Sequence, residues 1–471
     1  MFKYLGLFLV SVMLISCSSS RNVIDRGGIN DFSSDTSEIN ISSDSSFRAG
    51  VLLPLSGSAS KHGKGLKNAA MMALEDIKNP NLVLQFYDTQ SSPSGSRIAV
   101  ENAINQGSSV IIGPLMSSEV QAISGETIYQ GIPVIAFSTA QDVLQPTIYS
   151  LGLLIGEQVD RIVSYAANQG RKRLALLLPD NSTGIAVAKS AVKSAQKNNV
   201  EITVIGFYLP NTSDFSGIIK QMTNYEERHA EVVRLRSELE TRAKSGDKQA
   251  AYELKQMETK EGIGDVGFDM VLIPETGAKL TSATSMFAYY DAGYPDVQFL
   301  GTSVWETSKF NNETVMHKSW FPSVSRDKSG YFANKYYQTF GDKPSSLYSF
   351  AYDTVALINE ISKHGSKDIN DVILDPNGYY GITGAFLFNK DGTSKHSLDI
   401  VEIRPEGNIV IDSSSGKFGE LTEEETSEIT KSPKIFGKDV QSAQIAIFGH
   451  LLPEETPEIN TEEETQIYLE N

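Results

Sequence analysis

Leu174-Ala175-Leu176-Leu177-Leu178 runs without a polar residue into Pro179-Asp180-Asn181-Ser182, and an amphipathic stretch from Gly184 to Asn198 follows. A short apolar run bounded by turn residues and followed by a helical pattern reads as a strand buried on both faces of a parallel sheet. Met270-Val271-Leu272-Ile273 repeats the pattern, ending in Pro274-Glu275-Thr276-Gly277 ahead of a second helical stretch. Parallel strands need crossover connections, usually helices, so a chain built from such units is α/β.

Upstream, strands are predicted at Arg48–Leu53, Leu82–Tyr87, Val110–Ile112 and Val134–Phe137, interleaved with helices near 64–77, 95–106 and 117–129. After a connecting strand at Thr147–Leu151 the alternation restarts with a helix over 157–169, the strand at 174–178, a helix over 184–198 and a strand at Glu201–Tyr208. It resumes at Asp269–Ile273, with a helix over 277–292 and a strand at Val297–Leu300. The expected architecture is two lobes, 47–150 and 151–301, each a doubly wound, mainly parallel sheet flanked by helices.

Residues 225–262 interrupt the second lobe with a charged helical hairpin, broken at Ser245-Gly246-Asp247 and carrying a thin apolar stripe of Leu235, Leu239, Leu254 and Met257. It reads either as a solvated arm leaning on lobe 2 or as a docking arm for another protein. Part of 302–385, with a loop bearing Trp305 and Trp320 and helices near 329–340 and 346–364, should complete lobe 1, and about 384–412 should complete lobe 2. From 413 to 471 the chain turns acidic, with Glu423-Glu424-Glu425 and Glu462-Glu463-Glu464, and is expected to be largely disordered apart from Ala443–Leu452.

The N-terminus reads as a targeting segment. Lys3 precedes an apolar run from Leu5 to Ile15, closed by Leu14-Ile15-Ser16-Cys17. Eleven residues fall short of the roughly 17–25 needed to span a bilayer, so residues 1–17 are expected to be a lipoprotein signal and lipobox. Cys17 is the only cysteine, which excludes a disulfide framework and a Cys-based metal cluster and fits an acceptor for diacylglycerol. Residues 18–46, rich in Ser, Asn and Asp, read as a flexible tether of about 30 Å mean span. By resemblance to lipoprotein sorting in two-membraned bacteria, Ser18 implies delivery to the outer membrane, facing the periplasm. The formal net charge of −17 argues against nucleic acid or anionic lipid as partner.

Catalytic chemistry finds little footing. The six histidines show neither a metal-binding HxxxH pair nor HExxH, so no metal site is expected. Ser58-Ala59-Ser60-Lys61 fits SxxK, but Ser190–Lys193 and Ser194–Lys197 fit equally and no SDN or KTG element follows. Gly57 to Lys64 misses the Walker spacing, and Gly63-x-Gly65 lacks the third glycine of a dinucleotide fingerprint at Asn68, although Asp88 mimics its ribose-binding acid. There is no GxSxG. The chain is expected to be non-enzymatic, without a cofactor.

In doubly wound sheets ligands sit beyond the carboxyl ends of the strands. Those ends are polar here: Ser56, Ser117 with Ser118, and Ser138 with Thr139 in lobe 1, and Asp180 and Glu275 in lobe 2. Ser117 and Ser118 open a helix and suit N-capping as well as a carboxylate; Glu275 suits an ammonium group.

The segments VLLPLSG (51–57), FYDTQSSP (86–93), VIIGPLMSS (110–118), IPVIAFST (132–139), LLLPD (176–180), VLIPETGAKL (271–280) and SFAYDTVAL (349–357) occur in the order found in the leucine-binding-protein family of type I periplasmic binding proteins. The chain resembles that family from Phe47 to about Asp412. IPVIAFST, GEQVDRIVSYAANQG (156–170) and the charged insertion before GFDMVLIPE (267–275) are most similar to its penicillin-binding-protein-activator branch. The resemblance implies that Ser117, with Ser138 or Thr139, would hold a ligand carboxylate and Glu275 its ammonium; Tyr149, Tyr352 and Phe137 are candidates for the pocket wall.

Two functions follow as expectations. One is an outer-membrane lipoprotein, held through Cys17, that docks a peptidoglycan synthase; the other is a receptor delivering an amino acid or similar amphipathic solute to an ABC permease. The anchor supports the first, and the retained Ser117, Ser138 and Glu275 support the second.

Overall fold

Strand β1 (Phe47–Leu53) lies parallel between β2 (Leu82–Asp88) and β3 (Val110–Ile112), and β4 (Val134–Ala136) and β5 (Ile148–Ser150) extend the sheet in the order β2-β1-β3-β4-β5. Its connections are α1 (Ser60–Ile77), α2 (Pro93–Asn105) and α3 (Ser117–Gln130). Each starts where local chemistry lets it. At α2, for example, the Ser92 hydroxyl accepts from Gly95 N (3.1 Å) and Pro93 supplies a preset φ at the first turn. The computed structural model describes residues 46–306, 308–364, 368–414 and 432–452. The expected lipobox at Cys17, the tether up to Ser45 and most of the acidic tail lie outside the described residues.

The second lobe comprises α4 (Ile155–Asn168), β6 (Arg173–Pro179), α5 (Ser182–Asn198), β7 (Glu201–Tyr208), α6 (Ser216–Met222), α7 (Tyr225–Lys244), α8 (Lys248–Met257), β8 (Met270–Leu272), α9 (Gly277–Tyr289), β9 (Gln298–Leu300) and β10 (Trp320–Val324). Leu174–Leu178 and Met270–Leu272 are wholly buried between helices, as continuous apolar runs require. The chain then returns to lobe 1 for α10 (Arg326–Phe340), α11 (Ser346–Lys363), α12 (Ile369–Ile373) and a three-stranded antiparallel sheet of β11 (Tyr379–Gly381), β12 (Gly384–Phe388) and β13 (Ser394–His396). It crosses once more into β14 (Leu398–Glu402), which pairs antiparallel with β10, and β15 (Ile409–Asp412), which pairs antiparallel with β14 at the sheet edge.

Three elements differ from the sequence-based expectation. Trp320–Val324, read as loop, is a strand of the lobe-2 sheet, made one by pairing with Leu398–Glu402, some 80 residues away in sequence. Residues 384–396 complete lobe 1 rather than lobe 2, because Phe386 and Phe388 pack into the core formed by β1, α1 and α11. The expected disorder of 413–471 fails over β16 (Lys434–Phe436), which pairs parallel with β7 at the sheet edge; the stretch 443–452 excepted from it falls largely on α13 (Val440–Phe448), whose Ala443 and Ile447 pack against α5.

The insertion forms the expected hairpin, and Leu239 is buried while Leu235, Leu254 and Met257 are half-buried. Arg228 ties it to lobe 2. Its guanidinium, itself buried, donates to the carbonyls of Tyr290 (2.9 Å) and Asp291 (3.0 Å). No helix among the described residues is long and apolar enough to cross a membrane.

Candidate functional site

β5 leaves lobe 1 at its carboxyl end to enter α4, and β10, parallel to β9, leaves lobe 2 at its carboxyl end to enter α10. The lobes are therefore joined at the carboxyl ends of both sheets, and the strand-end loops border that junction. Of the seven polar residues singled out from the sequence, Ser56, Ser138, Thr139, Asp180 and Glu275 sit on these loops, and Ser117 and Ser118 open α3.

In lobe 1, the exit of β1 is organised by Asp88 at the end of β2, which accepts from the backbone N–H of Leu55 (2.9 Å), Ser56 (3.1 Å) and Gln90 (2.8 Å). Burial opposes its charge, but the Ser56 hydroxyl and these N–H donors win and hold its carboxyl below the usual range. Asp88 thus shapes a loop rather than awaiting a ribose. Gly63 and Gly65 have a packing reason as well: a Cβ at Gly63 would meet the Pro54 carbonyl at 2.1 Å, and one at Gly65 the Tyr348 ring at 2.1 Å.

The residue before α3 is Met116, so Ser117 and Ser118 are its first two helical residues and neither caps it, contrary to the N-capping reading. Glu119 takes that part, its carboxylate accepting from Met116 N (3.2 Å) and from the Thr89 hydroxyl (2.7 Å). Burial pushes the Glu119 carboxyl above its ordinary value. The serine hydroxyls make no hydrogen bond with the described residues and stay available at a helix N-terminus, where an anion is favoured. Ser138 is buried, its hydroxyl accepting from Ala140 N (3.3 Å) and its carbonyl accepting from the Ser150 hydroxyl, while Thr139 is exposed.

In lobe 2, the Tyr208 hydroxyl at the end of β7 donates to Glu275 Oε1 (2.5 Å), and Trp305 Nε1 donates to the Glu275 carbonyl (2.9 Å). Burial, then the bond to Glu275, pushes the Tyr208 phenol up, so it stays a proton donor to the carboxylate. Two aromatic side chains fix the glutamate and its turn, leaving Oε2 with only a long contact to Thr276 N (3.4 Å). Asp180 is not free: Lys438, from the turn after β16, forms an ion pair with it while lying 5.5 Å from the Phe207 ring.

Sequence reasoning missed Tyr208, Trp305 and Lys438, whose parts depend on contacts 30 to 258 residues away in sequence. The proposed pocket aromatics are core instead: Phe137 and Tyr149 are buried, and the Tyr352 hydroxyl donates to Asp76 (2.9 Å) on the outer helices. Among the described residues no hydrogen bond or ion pair joins the lobe-1 set to the lobe-2 set, and no group of three His, Cys, Asp or Glu is placed to hold a metal.

The family model for periplasmic binding proteins matches residues 46–233. No curated protein sequence matches the chain. Among solved structures, an ABC transporter substrate-binding protein from Sphaerobacter thermophilus aligns with TM-score 0.59 and 16% identity over 78% of this chain and 97% of its own. A branched-chain amino acid ABC transporter periplasmic ligand-binding protein from Burkholderia xenovorans LB400 aligns with TM-score 0.58 and 16% identity over 80% and 98%. The branched-chain amino acid transporter substrate-binding protein LivJ from Streptococcus pneumoniae, in complex with isoleucine, gives 0.53 and 17% over 78% and 99%. At these identities the likeness is one of fold, and it extends over the full length of those proteins. Residues 46–233 thus match the periplasmic binding protein family model, and the chain shares the fold of the type I periplasmic binding proteins.

Proposed function

We propose that this chain is a non-enzymatic substrate-binding protein of the periplasm whose lobes close on a small amphipathic solute of the amino-acid class and present it to an ABC permease. The observation that carries the reading is Glu275, a carboxylate at a strand end of lobe 2, oriented by Tyr208 and Trp305 and half-open to solvent. Such a group suits an ammonium, and the free hydroxyls of Ser117 and Ser118 at the α3 N-terminus suit a carboxylate. Ser56, Ser138 and Thr139 would line the same side, whereas Asp180 enters only as the partner of Lys438. Names given to the proteins that share the fold support a branched-chain or similar solute. Lipidation at Cys17 would hold the chain at a membrane.

The test is a thermal-shift screen of the chain against amino acids. A ligand at 100 times its Kd stabilises by about 2.7 kcal/mol. Glu275→Ala is expected to weaken binding by about 2–5 kcal/mol, because the ammonium would be buried unpaired. A shift that survives Glu275→Ala unchanged refutes this placement of the ligand.

A second reading, an outer-membrane lipoprotein regulating a peptidoglycan synthase, is favoured by one feature: the α7–α8 hairpin is anchored through Arg228 yet leaves Val233 and Tyr252 more than half exposed. Deleting 225–262 is expected to abolish capture of the synthase under this reading; capture that persists removes the hairpin as the docking arm.

A further inference from the structure

A groove of about 750 Å³ runs beside the lobe junction, walled by α4 and α5 from lobe 2 and by the β12–β13 hairpin from lobe 1. We propose that this groove is a second ligand site, which takes a small dianion such as a dicarboxylate or a phosphate. It is separate from the strand-end site, none of whose seven polar residues lines it.

Most charged side chains in the groove are already engaged. Arg161 donates to the Leu398 carbonyl (2.8 Å) and pairs with Asp412. Lys197 pairs with Asp160 (3.6 Å), and Glu157 accepts from the backbone N–H of His396 (2.8 Å) and faces its Nδ1 (3.1 Å). Asp391 is held in its own turn, accepting from Thr393 N (2.9 Å) and the Thr393 hydroxyl (2.6 Å). Two cations remain without an ion pair among the described residues, Lys193 on α5 and Lys395 on β13. One stands on each wall. In a chain of formal net charge −17, two unpaired lysines lining one concave surface from different lobes form a local site for negative charge.

A monovalent anion can satisfy either lysine alone, whereas a dianion engages both. Because the lysines belong to different lobes, losing either one removes half of the bridge. Both are exposed, so replacing them leaves the core untouched.

The experiment is isothermal titration of the full-length chain at pH 8 and fixed ionic strength with succinate and with inorganic phosphate, chloride serving as the monovalent control. The expected result is saturable one-to-one binding of at least one dianion, weakened about tenfold or more by Lys193→Met and by Lys395→Met separately, a loss of at least roughly 1.4 kcal/mol. Lys189→Met, one turn away on α5 and outside the groove, should leave it unchanged. Absence of saturable heat with both dianions overturns the proposal, as does weakening by Lys189→Met equal to that by Lys193→Met, which would reduce the effect to general screening. Neither result bears on the amino-acid reading of the strand-end loops, which Glu275→Ala tests by itself.

Discussion

Asp353 sits on α11 with its side chain enclosed, accepting hydrogen bonds from the backbone N–H of Ile382 (2.7 Å) and Thr383 (2.9 Å) and from the Thr383 hydroxyl (2.5 Å). Burial raises its pKa to about 6, outweighing these donors, each of which favours the charged form. The unfolded chain ionises this group near its ordinary value of 3.8, so between about 4 and 6 the folded state holds the proton more tightly. Its contribution is therefore present below pH 4 and lost as pH rises through 6, on the order of 2–3 kcal/mol. Asp353→Asn should flatten that part of the stability profile, measured by urea unfolding from pH 4 to 7; an unaltered slope would show that Asp353 does not titrate there. At this scale the sequence identifies residue types at strand ends, so Glu275 and Ser117 could be singled out. It does not reveal what each side chain touches. In sequence Asp180 is as exposed a strand-end acid as Glu275, yet Lys438 pairs with it, and Tyr149 is as suited to a pocket wall as any aromatic there, yet it is buried with its hydroxyl donating to Asn370 (3.0 Å).

Elements with a strong pattern were legible. Leu174–Leu178 and Val110–Ile112 were located to within a residue or so, because a strand buried on both faces must be apolar throughout. β16 was not, for a physical reason: a strand of three residues has no periodicity of its own and exists because β7 offers it an edge. Gly437, with φ +76°, brings the chain so close to the Phe207 carbonyl that a Cβ would stand 1.9 Å from it, and the next residue is Lys438 at Asp180. Ile435, Ala443 and Ile447 fill the outer face of lobe 2 beside α5. Ile447→Ala is expected to destabilise the chain by about 2–4 kcal/mol, with the shift confined to the denaturation midpoint and not the slope. A cost below about 0.5 kcal/mol would mean that α13 does not share in the cooperative core.

The whole molecule depends on three crossings between lobes, at Ser150–Ile155, Val324–Arg326 and His396–Leu398. They are stiffened from the side: Ser325 N donates to the Thr383 carbonyl (3.2 Å), Arg326 N to Asp399 (3.1 Å) and His396 N to Glu157 (2.8 Å). Under the proposed function, closure on a ligand would be a rotation about these segments, since the two sheets are separate and each lobe has its own core. Glu157 is the carboxylate in the first turn of α4 that reaches back across the junction, and the His396 ring it faces is wholly buried between Phe350 and Phe386. Removing it leaves a backbone N–H and a ring nitrogen without their partner, at a cost of about 1–3 kcal/mol. Glu157→Ala touches none of the strand-end residues, so any change in ligand affinity that it causes must arise from the balance of open and closed states. The expected outcome is a lowered melting temperature together with a scattering profile of the unliganded chain that differs from wild type. A variant that melts earlier but scatters identically, with the same ligand affinity, would make the Glu157–His396 contact a stabilising one only and leave the other two crossings to set the hinge.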